Sequence, residues 1–131
     1  MSLIGVARDL HAVTGAEVHF PEIVPVEANS DTKIELDVQA DDLCGRYTTR
    51  RIDNINMKAA TPQWMKDRLE RSGQRSISAL VDISNYVMLE MGVPTHFSDA
   101  DKIVGGCYTV RWAKDGEKIT LLNGQTVDLD P

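Results

Sequence analysis

Between Ser78 and Pro94 the chain reads SALVDISNYVMLEMGVP, and no other stretch limits the fold as strongly. Leu80, Ile83, Val87 and Met91 recur at spacings of three and four, which predicts an amphipathic helix from about Ser78 to Met91. Gly92 supplies the stop that ends such helices. Asp82 and Asn85 fall off the apolar stripe and read as solvated. Just past the glycine come His96, Asp99 and Asp101, so the most reactive side chains gather where the helix ends. They are either ordinary helix-ending residues or the floor of a site.

The rest of the chain supplies partners for that helix. LIGVARDLHAVTG has helical spacing with Gly15 as a stop, and it begins at residue 3 with no evident cap sequence. Pro21 and Pro25 then break any regular element, leaving an extended linker. KIELDVQ alternates Ile34, Leu36 and Val38 as a half-buried strand, and RYTTRRIDNINM continues in β-rich composition. Thr61-Pro62 reads as a helix start, a hydroxyl cap followed by proline in the first turn. PQWMKDRLERSG follows with Trp64, Met65 and Leu69 as a narrow apolar stripe. CYTVRWA alternates as a strand, and KITLLNGQTVDL forms two short strands around Asn123-Gly124, a strong hairpin signal. The class is α+β, a mixed sheet with helices packed on it.

A chain of 131 residues with 42% apolar side chains fits one domain with a core. No run approaches the roughly 18–20 apolar residues of a membrane span, and no signal peptide opens the sequence. Cys44 and Cys107 stand far apart without a second ligand cluster, so neither a disulfide framework nor a metal site is indicated. They read as buried, inert thiols of a protein in the reduced cytoplasm. The net charge of −6 argues against a general nucleic-acid binder. Residues 46–75 nonetheless carry eight basic side chains against three acidic ones. That block either faces phosphate or forms a solvated surface.

Among reactive types, His11 and His19 read as surface residues. His96 has Asn85, Asp99 and Asp101 within one helix and turn, which suits a hydrogen-bond anchor or proton shuttle. The alternative is that Ser98 or Asp99 caps a short helix at DADKI, with His96 a bystander. Arg75 lies between two helices, where it either caps carbonyls or binds a carboxylate or phosphate. No G-x-S-x-G elbow, Walker loop, HExxH or CxxC occurs.

Taken together, the C-x-R-Y entry at Cys44, TPQWMKDRL, RSISALVDISNYVMLEMG, the P-x-H-x-x-D turn and GG…V.RWAKDGEKITLLNG closely resemble the bacterial phenylalanine–tRNA ligase beta subunit family. LIGVARDL and PEIVPV resemble the stretch preceding these in the same family. The resemblance implies an internal piece of a longer subunit, with residues 1–40 ending an N-terminal module and linker and residues 41–131 beginning the editing module, a partial editing-module fold. The family's parent enzyme charges tRNA(Phe) with phenylalanine, using ATP and magnesium in the alpha subunit, and the resemblance assigns no cofactor to this stretch. The editing module hydrolyses tyrosine wrongly esterified to that tRNA. Carried over, the pocket would use Arg75 and Ser84 for substrate binding and Asn85 and His96 for catalysis, with the tRNA acceptor end and the alpha subunit as partners. The family usually has H-A-F-D where this chain has His96-Phe97-Ser98-Asp99. The pocket's other half, a glycine-rich segment and a glutamate, lies beyond Pro131. The rival expectation is a non-catalytic scaffold or docking module of the same complex.

Both ends read as abrupt cuts. A hairpin closing at TVDLDP leaves an open strand edge, and the Leu80–Met91 face lacks part of its cover. The isolated chain is therefore expected to self-associate, its sedimentation mass rising with concentration. A mass fixed at that of the monomer would refute this.

Overall fold

The computed structural model describes residues 2–130. They divide into two compact units, one formed by Met1–Asn29 with Asp53–Ser98, the other by Ser30–Ile52 with Asp99–Pro131. The division follows packing, not chain order.

The first unit is helical. Helix α1 spans Leu3–Thr14, α2 spans Gln63–Arg71 and α3 spans Ala79–Met91. Contrary to the sequence expectation, α1 does have a cap: the Ser2 hydroxyl accepts the Gly5 N–H at 3.1 Å. Gly15 ends α1 and Gly92 ends α3, both in the left-handed region that favours glycine. A Cβ on Gly92 would also meet the Ser2 side chain at 3.1 Å, so the start of α1 lies against the end of α3. Both α1 and α2 pack on α3.

The core is small and sits where α2 meets α3. Leu69 is fully buried and Met65 nearly so. Trp64, the third member of the expected stripe, is half exposed and meets Tyr86 of α3 edge to face, with centroids 5.4 Å apart. Of the apolar stripe read for α3, Leu80 and Val87 are half-buried, while Ile83 and Met91 are 40% and 36% exposed. The adjacent face, at spacings of four and three, carries Asp82, fully buried, with Tyr86 and Leu89 half-buried. That overturns the reading of Asp82 as solvated.

The second unit carries the strands, which pair as two separate two-stranded sheets. Strand β1 (Glu35–Val38) runs parallel to β2 (Cys107–Val110), with Glu35 opposite Cys107. Beyond the ladder, the Gln39 and Ala40 N–H groups both point to the Val110 carbonyl, and Ala40 is buried. Strand β3 (Lys118–Thr120) pairs antiparallel with β4 (Thr126–Asp128) around the predicted turn. There Asn123 accepts the Gln125 N–H at 2.9 Å and Gly124 takes a φ of 82°. Arg111 grips Glu117 with two bonds of 2.7 and 2.8 Å. Residues 46–57 form no regular strand despite their β-rich composition. Cys44 and Cys107 are half-buried, not fully enclosed.

The reassigned face of α3 can be checked by truncation. Leu69→Ala should destabilise the helical unit by about 2–5 kcal/mol, the range for emptying a buried leucine site. Ile83→Ala, on the exposed side, should stay below about 1 kcal/mol. Urea unfolding followed by Trp64 fluorescence, with Trp112 replaced by Phe, separates the two. Equal losses would restore the stripe read from the sequence.

Candidate functional site

The most highly organised polar group in the helical unit is the Asp82 carboxylate, in the first turn of α3. Its Oδ1 accepts the Ile77 N–H at 2.8 Å. Its Oδ2 accepts the Ser76 hydroxyl at 2.6 Å and the Thr61 hydroxyl as well. Thr61 was expected to cap α2. Its hydroxyl donates here, and α2 has Pro62 as its N-cap with no side-chain cap bond.

Burial pushes the Asp82 carboxyl up, but its hydrogen bonds, those from Ser76, Thr61 and Ile77 foremost, outweigh it and hold the group below its ordinary 3.8. Its cover is thin, because Ile77 and Ser78 are exposed and Ser76 is only half-buried. Burial remains the largest single influence, and the hydrogen bonds win only together. The carboxylate also lies at the positive end of the α3 dipole.

The four residues expected at a site all lie in the helical unit. Arg75 is exposed, in the loop from α2 to α3, one residue before Ser76. Ser84 and Asn85 are half-buried on α3, within one turn of Asp82. The Ser84 hydroxyl donates to the Val81 carbonyl at 2.8 Å, a bond within its own helix. His96 is exposed in the irregular segment after Gly92. Among the described residues, the side chains of Arg75, Asn85 and His96 have no hydrogen-bond or ion-pair partner, so their donors and acceptors are uncommitted. In the other unit, Asp99 does cap a short turn, Ala100–Lys102, by accepting the Asp101 N–H at 3.2 Å.

A groove of about 280 Å³ runs among the three helices, floored by Leu3, Leu69 and Leu89. Arg68, Tyr86 and Glu90 form its polar side: Arg68 donates to the Tyr86 hydroxyl at 2.6 Å, which donates to Glu90 at 2.8 Å. None of Arg75, Ser84, Asn85 or His96 lines it. No group of three or more His, Cys, Asp and Glu gathers into a metal-binding cluster among the described residues.

The Asp82 network was missed in the sequence, although a signal was there. Asp82 shares its helical face with Tyr86 and Leu89, and Ser76 and Ser78 precede it at the distance from which hydroxyls and amides reach a first-turn carboxylate.

Residues 43–131 match the family described as the B3/4 domain. The chain belongs to the B3/4 domain family. Beyond the domain, the whole length is similar to three proteins named phenylalanine–tRNA ligase beta subunit. The one from Bordetella pertussis is 56% identical over 131 residues, all of this chain. That from Cupriavidus pinatubonensis is 56% identical and that from Burkholderia pseudomallei 53%, each over 99% of the chain. The chain spans 16% of the length of each relative. In this B3/4 domain chain the α3 region with Asp82, Ser84, Asn85 and His96 falls inside the family match, as does Arg75.

The lowered Asp82 pKa fixes a pH dependence. A carboxylate whose folded value lies below its unfolded one stabilises fully above about 3.8 and loses that contribution as pH falls through the lower, folded value. Thr61 and Ser76 become poorer partners once the group is neutral. Urea midpoints for the Trp64 signal should therefore drop as pH is lowered below the ordinary aspartate range. Asp82→Asn should be less stable near neutrality, with the gap to the parent chain closing toward acid. A gap that stays constant down to about pH 3 would mean that the charge is not what the network recognises.

Proposed function

We propose that this stretch is part of a phenylalanine–tRNA ligase beta subunit and contributes to a site that hydrolyses tyrosine mischarged onto tRNA(Phe). The observation that carries the reading is similarity along the entire chain, at 56% identity, to relatives named as that subunit. The whole enzyme charges tRNA(Phe) with phenylalanine in the cytoplasm, and its alpha subunit is the partner that works with ATP and magnesium. Residues 1–40 close a preceding module and 41–131 open the editing module. The family match starting at residue 43 supports that boundary.

Within the site, Arg75 and Ser84 bind substrate while Asn85 and His96 act on the ester. Hydrolysis of an aminoacyl ester requires a positioned water, a group to take its proton and donors for the developing oxyanion. Asn85 donates through its amide, and a neutral His96 orients water or accepts its proton. Arg75 offers a planar set of donors to a phosphate or carboxylate of the acceptor end. Tyrosine differs from phenylalanine by one hydroxyl, and a site that hydrogen-bonds a hydroxyl rejects the analogue lacking it by about 10⁴–10⁵. The basic side chains between residues 46 and 75 favour approach of a polyanion such as the acceptor stem.

A second reading, a scaffold or docking module, draws on the exposure of Arg75 and His96 and on the many exposed large apolar side chains, among them Val24, Val104 and Leu122. The two readings diverge in the intact alpha–beta ligase. His96→Ala should slow deacylation of tyrosyl-tRNA(Phe) by about 10² or more, the usual scale for loss of a proton-transfer group. Asn85→Ala should slow it by about 10²–10³ as an oxyanion donor is lost. Pyrophosphate exchange with phenylalanine, assayed in parallel, should be unaffected. Unchanged deacylation in both variants would favour the scaffold, and parallel losses in both assays would point to folding.

A further inference from the structure

We infer that Asp82 is a positioning residue for Arg75: it ties the loop bearing that guanidinium to the frame that carries Ser84 and Asn85. This rests on the editing reading above and adds a residue that touches no substrate.

The geometry is specific. A loop that joins two helices and is exposed at Arg75, Ile77 and Ser78 has little apolar burial to hold it. The two residues after Arg75 are nevertheless fixed by one carboxylate: Ser76 through its hydroxyl at 2.6 Å and Ile77 through its N–H at 2.8 Å. The remaining acceptor capacity takes the Thr61 hydroxyl, from the residue that enters α2. Asp82 thus joins the entry to α2, the α2–α3 loop and the first turn of α3 at one point. Ser84 and Asn85 follow within the next turn of the same helix. The backbone leaving Arg75 is therefore fixed in the frame of α3, and with it the base from which the guanidinium reaches.

No aliphatic residue could do this. A leucine has the same branching, but it would leave three donors unmatched and the loop free to move. Asparagine keeps the shape but offers one carbonyl oxygen and no charge, so either the hydroxyls of Ser76 and Thr61 or the Ile77 N–H lose their acceptor. Displacing a substrate-holding group by about 1 Å can cost on the order of 10²-fold in rate. If Arg75 binds substrate, the loss should appear mainly in KM.

The test is a mutant cycle in the intact alpha–beta ligase, reading KM and kcat for deacylation of tyrosyl-tRNA(Phe). Asp82→Asn, Ser76→Ala and Arg75→Ala are compared singly, and Asp82→Asn is also placed in the Arg75→Ala background. Asp82→Asn is expected to raise KM by roughly ten-fold or more, with a smaller change in kcat. Ser76→Ala, which removes one tether and keeps the charge, should raise it less. Once Arg75 is alanine, Asp82→Asn should raise KM no further, because the group it positions is gone. Equal and independent effects in the two backgrounds would overturn the inference, since a purely structural role does not depend on Arg75. Wild-type KM in folded Asp82→Asn would also overturn it. If that variant does not fold, wild-type KM in Ser76→Ala does so in its place. Should Arg75→Ala itself deacylate normally, Arg75 leaves the site and the positioning role falls with it. Loss in Arg75→Ala with none in the Asp82 and Ser76 variants would sink the positioning role alone.

Discussion

A carboxylate removed from water is costly unless its lone pairs are filled, and the helical unit is organised around filling those of Asp82. One donor is the backbone amide of Ile77, just before the N-cap of α3. Two are hydroxyls from other parts of the chain. Hydrogen bonds to a charged group stabilise by roughly 1.5–3 kcal/mol each, well above neutral ones. A unit whose fully buried apolar side chain, among the described residues, is Leu69 alone has little else to define the path of its loops. The same three bonds that satisfy the charge thereby set the start of α3, the α2–α3 loop and the entry to α2.

What could be read in the sequence was local. Gly15, Gly92 and Gly124 mark positions where the backbone takes a positive φ, and short-range sterics decide that without reference to the fold. Helix α3 was legible to within a residue because Ser78 and Gly92 bracket it. What escaped were choices made by distant partners. Thr61 had a good local reading as a cap, yet Asp82, 21 residues away, is a stronger acceptor for its hydroxyl than an amide is a donor to it. The stripe Leu80–Ile83–Val87–Met91 satisfied helical periodicity, but α2 meets the adjacent face, where Tyr86 stacks on Trp64. Residues 46–57 have strand composition and no ladder, since β propensity is realised only where a neighbouring strand is available. As for the site, Arg75, Ser84, Asn85 and His96 came from family resemblance, and only the uncommitted state of Arg75, Asn85 and His96 is visible in the fold.

The surface shows how far local devices go. Folded monomers of 14.5 kDa expose about 6,900 Å², and two independent bodies of that total mass roughly 8,300 Å². This chain exposes 11,101 Å². The excess stands however the two units are arranged. The sheets agree with it: β1 and β2 form a parallel pair, an arrangement normally covered on both faces, yet only Val38 of β1 is even half-buried. Capping, turn chemistry and the Asp82 network can specify these elements, while the apolar cover that would make them strongly stable is not found within the chain. Relatives in which the same stretch makes up 16% of the length have ample chain to provide it.

These features bear on why a buried charge is retained at position 82. Replacing buried ionic groups by apolar ones of matched shape often leaves stability unchanged or higher, so stability alone does not explain the carboxylate. What an apolar side chain cannot supply is direction. It would pack equally well against many arrangements of residues 75–78, whereas two oxygens with three donors are satisfied by few. For a loop whose work is to present one guanidinium to a substrate, a narrow range of positions matters more than depth of burial. Ordering before substrate arrives also removes an entropic cost that would otherwise fall on binding. The exposed Arg75 and the enclosed Asp82 are in this sense two ends of one device, the first facing outward with its donors free, the second holding still the backbone from which it projects.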